Sequence, residues 1–149
     1  LPPGARFAAT TAGRSWRGAV EELEARARQP AGAAPTWAYQ LDWGSPLDGG
    51  RLGAFHTLDI PLVFDNVDAA GSRTGTSPDA RRLAGQMADS FIAFARTGDP
   101  NHRAIADWPQ FDLDTRPTMI FDRQVAIEND PRREERLLFA TVPYIKPGG

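Results

Sequence analysis

Leu52-Gly53-Ala54-Phe55-His56-Thr57-Leu58-Asp59-Ile60-Pro61-Leu62-Val63-Phe64 follows, after a turn-rich connection, the alternating stretch Trp37-Ala38-Tyr39-Gln40-Leu41-Asp42-Trp43. The earlier stretch places Trp37, Tyr39, Leu41 and Trp43 two apart, the period of a strand with one face on a large apolar surface. Gly44-Ser45-Pro46 stops that strand, and Asp48-Gly49-Gly50 turns the chain toward His56. Beyond His56, Ile60 to Phe64 is a short apolar segment. Pro61 lacks an amide donor there and argues against a central strand.

Working outward, Trp16, Ala19, Val20, Leu23 and Ala27 share one face of a helix that begins after Ser15 and closes at Pro30. On it, Glu22 and Glu24 stand four residues before Arg26 and Arg28, the favourable order for exposed ion pairs. A second helix is predicted from Pro78 to Thr97. Ser77 caps it, Pro78 suits its first turn, Asp79 its positive end, and Gly98 with Pro100 stops it. Its predicted buried stripe is Leu83, Met87, Phe91 and Phe94. Thr118 to Asp122 reads as a strand paired with Gln124 to Ile127, and Asp130-Pro131 opens a last helix carrying Leu137 and Leu138. The order helix, strand, long loop, helix, strand, helix predicts α/β architecture.

The 149 residues fit one domain, which can bury roughly 70% of its unfolded surface. With 41% hydrophobic and 24% charged residues and no long apolar run, the composition is that of a water-soluble globule without a membrane span. The net charge is −2 and the arginines are interspersed with acids, so no basic face for nucleic acid is expected. Cysteine is absent, which excludes disulfides and thiolate metal sites while leaving the compartment open. The two histidines, His56 and His102, lack metal-ligand spacing. Asp48 to Gly53 is loosely phosphate-loop-like but lacks the Lys-Ser/Thr end and following helix of a nucleotide site.

From Arg14 to about Pro131 the chain resembles the type B carboxylesterases, the para-nitrobenzyl esterase and cholinesterase branch of the α/β-hydrolases. The resemblance rests on Ala38 to Pro46, Leu52 to Phe64, Phe91-Ile92-Ala93-Phe94-Ala95-Arg96-Thr97-Gly98-Asp99-Pro100-Asn101, Trp108-Pro109 and Thr118 to Asp122, in that order. It implies that residues 1–149 are the C-terminal portion of a single α/β-hydrolase domain: the last sheet strands, the catalytic-histidine loop and flanking helices, incomplete as a domain. It gives His56 the role of general base, taking a proton from a serine hydroxyl and returning it to the departing alcohol. No cofactor is implied, and the implied substrate is a small carboxylic ester.

The nucleophile of that chemistry sits on a Gly-x-Ser-x-Gly elbow. No such elbow occurs here, since Gly71-Ser72 and Gly75-Thr76-Ser77 lie in a turn-rich linker. The chain, which opens Leu1-Pro2-Pro3-Gly4, is therefore expected to lack the nucleophile, the acid and the oxyanion loop. It is expected to be inactive alone, and to need its N-terminal complement or to self-associate through an exposed strand edge. The alternative is a cholinesterase-like homologue that serves as a binding or adhesion module.

Asp59, three residues past His56, is read as an acid tying the loop to backbone amides, in preference to an orienting carboxylate for the imidazole. His102, in the turn after the long helix, is expected to be solvent-exposed. Trp37, Trp43, Phe91 and Phe94 are expected in the core, while Phe55 and Phe64 flank the His56 loop.

Overall fold

The computed structural model describes residues 10–30 and 32–144. A five-residue π-helical turn, Ala12–Trp16, runs without a break into helix α1, Arg17–Ala27. The predicted ion pairs form on α1. Arg26 Nε lies 3.3 Å from Glu22 Oε1, and an Arg28 guanidinium nitrogen lies 2.7 Å from Glu24 Oε2.

Strand β1, Ala38–Leu41, lies parallel to β2, Pro117–Phe121, with Ala38 opposite Thr118 and Leu41 opposite Phe121. Strand β3, Ala126–Asn129, returns antiparallel to β2 with Pro117 opposite Asn129, so the sheet order is β1-β2-β3. The pairing partner expected at Gln124 thus starts two residues later. Asp42 and Trp43 both donate their amides to the Phe121 carbonyl, at 2.9 and 3.1 Å. Sharing one acceptor ends the ladder and swings the chain off the sheet toward the His56 loop.

Ile60–Val63 forms a single turn of helix, α2, with Pro61 in its first turn, where a missing amide costs nothing. Helix α3 runs over Pro78–Thr97, as the capping residues predict. Ser77 Oγ accepts from the Ala80 amide at 3.2 Å, and Gly98, at φ +78°, closes the far end by donating its amide to the Phe94 carbonyl at 2.8 Å. Helix α4 spans Arg133–Ala140. Its Leu137 and Leu138 stay exposed, while Phe139 sits 6.2 Å, centroid to centroid, from Trp16.

Strand alternation sends the two sheet faces to different helices. Met119 and Phe121 join Leu83, Met87, Leu58, Leu62, Trp43 and Trp108 in one buried cluster beneath α2 and α3. On the other face, Ala38, Gln40 and Thr118 look toward Trp16, Val20 and Leu23 of the first helical segment. Helices therefore flank a mixed sheet on both sides around a closed apolar core. This corrects the expectation of a fold incomplete as a domain, because an α/β-hydrolase-like layering forms within the described residues.

The core expectation holds for Trp43, and Trp37 packs half-buried against the same cluster. It fails for Phe91 and Phe94, which are 38% and 49% exposed. Helix α3 has 20 residues and is about 30 Å long, whereas strands of four or five residues reach roughly 13–17 Å. The helix overruns the strands, and its last two turns reach the sheet end through Phe91 against Tyr39 and Phe94 against Trp37, which leaves both phenylalanines partly in solvent. Its buried stripe is instead Ala80, Leu83, Ala84, Met87, Ala88 and Ser90.

Candidate active site

The loop between β1 and α2 is held by hydrogen bonds at both ends. Trp43 Nε1 donates to the Thr74 carbonyl at 3.0 Å, Ser45 Oγ to the Arg73 carbonyl at 2.6 Å, and the Ser45 amide to the Gly53 carbonyl at 3.0 Å. Gly44 and Gly53 pass so closely that a Cβ on Gly44 would stand 3.4 Å from the Gly53 Cα. Beyond this crossing the chain makes a four-residue turn, Phe55 to Leu58, in which the Leu58 amide donates to the Phe55 carbonyl at 3.2 Å. Phe55 packs against the core and Leu58 is 1% exposed, so both ends of the turn are anchored.

His56 sits at the tip of that turn, exposed, and its imidazole makes no hydrogen bond among the described residues. Exposed apolar side chains flank it in sequence. Leu52, Ile60 and Phe64 are all exposed, Phe64 at 75%. Asp59 follows neither sequence-based reading, since its side chain makes no capping bond to the amides of α2. Its charge acts on Tyr39, whose hydroxyl is held above its ordinary pKa first by burial and then by the Asp59 carboxylate.

The second histidine differs from expectation. His102 is half-buried, with Nε2 3.0 Å from Ser90 Oγ and 3.1 Å from the Gln86 carbonyl, while Nδ1 faces the Ala104 amide at 3.4 Å. Ser90, 1% exposed, also donates to the Gln86 carbonyl one turn back at 3.0 Å. Ser90, Phe91, Phe94, Trp37, Tyr39 and Trp108 line a cavity of about 300 Å³ at the end of the sheet. Trp37 meets Phe94, and Tyr39 meets Phe91, edge to face at 5.8 Å.

Ser90 and His102 have the composition and spacing of a serine–histidine dyad. The pair corrects the expectation that this chain lacks the nucleophile and is inactive alone for that reason. A sequence signal for it existed. Ser90 falls three residues after Met87 and seven after Leu83 on the buried stripe, and a hydroxyl on such a face needs a partner. No spacing rule points from Ser90 to His102, because the two meet only after the chain reverses beyond Gly98.

That reversal is built by the Gly-Asp-Pro-Asn segment. Asp99 Oδ1 accepts the Asn101 amide at 2.9 Å and the Asn101 side-chain amide at 2.7 Å, and these bonds lower the Asp99 carboxyl below its usual range. Asn101 in turn reads the Trp108 backbone at both ends. Its Oδ1 accepts the Trp108 amide at 2.7 Å, and its Nδ2 donates to the Trp108 carbonyl at 3.0 Å. The same carbonyl accepts Trp37 Nε1 at 3.1 Å. One side chain thus ties the turn carrying His102 to the strand region carrying Trp37.

No group of three or more His, Cys, Asp or Glu with the geometry of a metal site occurs among the described residues. Among them, too, no helix is long and apolar enough to cross a membrane.

Residues 14–139 match the carboxylesterase family, and the chain belongs to that family of serine-esterase α/β-hydrolases. It is 35% identical over 123 residues to the para-nitrobenzyl esterase of Bacillus subtilis strain 168, covering 81% of this chain and 24% of that protein. It is 34% identical over 113 residues to the phenmedipham hydrolase of Pseudarthrobacter oxydans, covering 72% of this chain and 23% of that protein. Among solved structures, an esterase from Clostridium hathewayi described as able to hydrolyse aliphatic aromatic polyesters superposes with a TM-score of 0.71 at 30% identity. That superposition covers 85% of this chain and 25% of the other.

The family match runs over nearly the whole chain. It corrects the readings of the chain as only a C-terminal portion of the family's fold, and as a piece needing an N-terminal complement or self-association in its place. The chain spans about a quarter of the length of the curated relatives it matches.

Proposed function

We propose that the protein hydrolyses carboxylic esters by acyl transfer to a serine, with His56 as the proton shuttle. The observation that supports this reading is the placement of His56 within the esterase-family segment. The imidazole is exposed at the tip of a turn anchored in the core at both ends, and among the described residues no hydrogen bond occupies it. The imidazole is open to solvent, where it can exchange protons with a hydroxyl brought to it. The substrate class is a small ester with apolar flanks.

A second reading is favoured by the 3.0 Å contact between Ser90 Oγ and His102 Nε2 beside the aromatic cavity. In it Ser90 is the nucleophile and His102 its base. This reading requires a change of hydrogen-bond sense. With Nδ1 accepting from the Ala104 amide, Nε2 carries the proton, and Ser90 gives its own to Gln86. The tautomer must invert before Ser90 can be deprotonated.

Labelling with a fluorophosphonate ester, followed by peptide mapping, separates the two. The first reading predicts loss of labelling in His56→Ala but not in His102→Ala. Label on Ser90, lost in His102→Ala, establishes the second. Absence of label on any serine sinks acyl transfer altogether.

A further inference from the structure

We infer that Thr57 is a positioning residue for His56. The inference rests on His56 being the proton shuttle. The turn from Phe55 to Leu58 is closed by the Leu58 amide on the Phe55 carbonyl at 3.2 Å, and its two central residues are His56 and Thr57. Thr57 takes φ +72°, while His56 is not among the residues of positive φ. That sign pattern belongs to a type II turn, whose third position favours glycine because a Cβ there crowds the backbone.

A β-branched residue is among the least tolerant occupants of the left-handed region. Here it is held there from both sides. Phe55 packs on the core, Leu58 is buried in it, and the Thr57 carbonyl is engaged by the Ile60 amide at 3.2 Å at the start of α2. Thr57 is itself exposed, so neither core packing nor burial requires a branched side chain at this position.

What the branch does supply is stiffness next to His56. Once the anchors impose a positive φ, the branched Cβ leaves Thr57 one narrow well, and the peptide linking it to His56 takes one orientation. Glycine at the same place would satisfy the turn with less strain yet let that peptide, and the imidazole before it, range more widely. Backbone strain held in place by surrounding structure beside a reacting group is a recognised means of fixing its direction. A proton shuttle loses rate steeply when its geometry loosens.

The test compares Thr57→Gly, Thr57→Asn and His56→Ala in the protein, with para-nitrophenyl acetate as substrate and thermal melting alongside. Thr57→Gly is expected to melt at or above the wild-type temperature while kcat falls roughly tenfold with KM unchanged. Thr57→Asn, which tolerates positive φ and lacks the branch at Cβ, is expected to lose rate in the same direction by a smaller factor. A Thr57→Gly variant with wild-type kcat overturns the inference while leaving the His56 reading intact, provided His56→Ala is inactive. Turnover that survives in His56→Ala, or a wild-type protein without turnover, overturns that reading and the inference with it.

Discussion

Asn101 shows how much a single polar side chain can organise. Its amide holds the Trp108 backbone at both ends and is itself fixed by Asp99, so the turn bearing His102 and the loop before β2 move as one piece. Replacing Asn101 by Ala strands the buried Trp108 amide and removes one of two donors from its carbonyl. A loss of about 1–3 kcal/mol is expected, measurable as a lower urea midpoint at unchanged slope. Leu62 carries a different kind of weight. It is fully buried where α2 meets the core, and Leu62→Ala is expected to cost about 2–5 kcal/mol in the same measurement. At this scale His56 was singled out by its distinctive neighbours, and its catalytic role is a proposal. His102 and Ser90 were not so marked, because their contact depends on a chain reversal that no local period encodes.

Among the elements, α3 was legible to the residue because each of its ends is written in chemistry that acts locally: a serine cap, a proline in the first turn and a left-handed glycine. Ser77→Ala removes the Oγ that accepts the Ala80 amide and is expected to lower stability by about 1 kcal/mol, read from thermal or denaturant melting. A melt indistinguishable from wild type would show that the cap is redundant. The helix's inward face was less legible. Periodicity nominated Phe91 and Phe94 as core because it reports which residues share a side, not how far the sheet beneath extends. The strands were found within two residues of their expected limits. The shared acceptor at Phe121, which ends β1 early, depends on a partner strand some eighty residues away, beyond the reach of local pattern.

The whole molecule joins α1 and α4 to the sheet through half-buried ion pairs that composition could not place. Glu24 takes Arg116 from the start of β2 at 2.7 Å as well as Arg28, and Asp130 takes Arg136 at 2.6 Å. Burial alone would raise the Glu24 carboxyl, but hydrogen bonds from Arg28 and Arg116 outweigh it and hold it low. Asp130 is lowered chiefly by its bond to Arg136. Both folded-state values lie below the unfolded ones, so the stabilisation is fully present above the ordinary carboxylate range, near pH 4, and is lost as pH falls through the lowered values. The melting temperature should therefore hold from neutrality to about pH 5 and fall below pH 4, less steeply in Glu24→Gln; an acid limb identical in that variant would remove Glu24 from the account. The α/β character of the chain was readable from element order. The closure of helices around both sheet faces was not, because it is a property of packing. The account turns on His56, and the direct measurement is kcat/KM for para-nitrophenyl acetate in His56→Ala. A proton shuttle in acyl transfer predicts a fall of about a thousandfold or more, whereas a value within a few fold of wild type would contradict it.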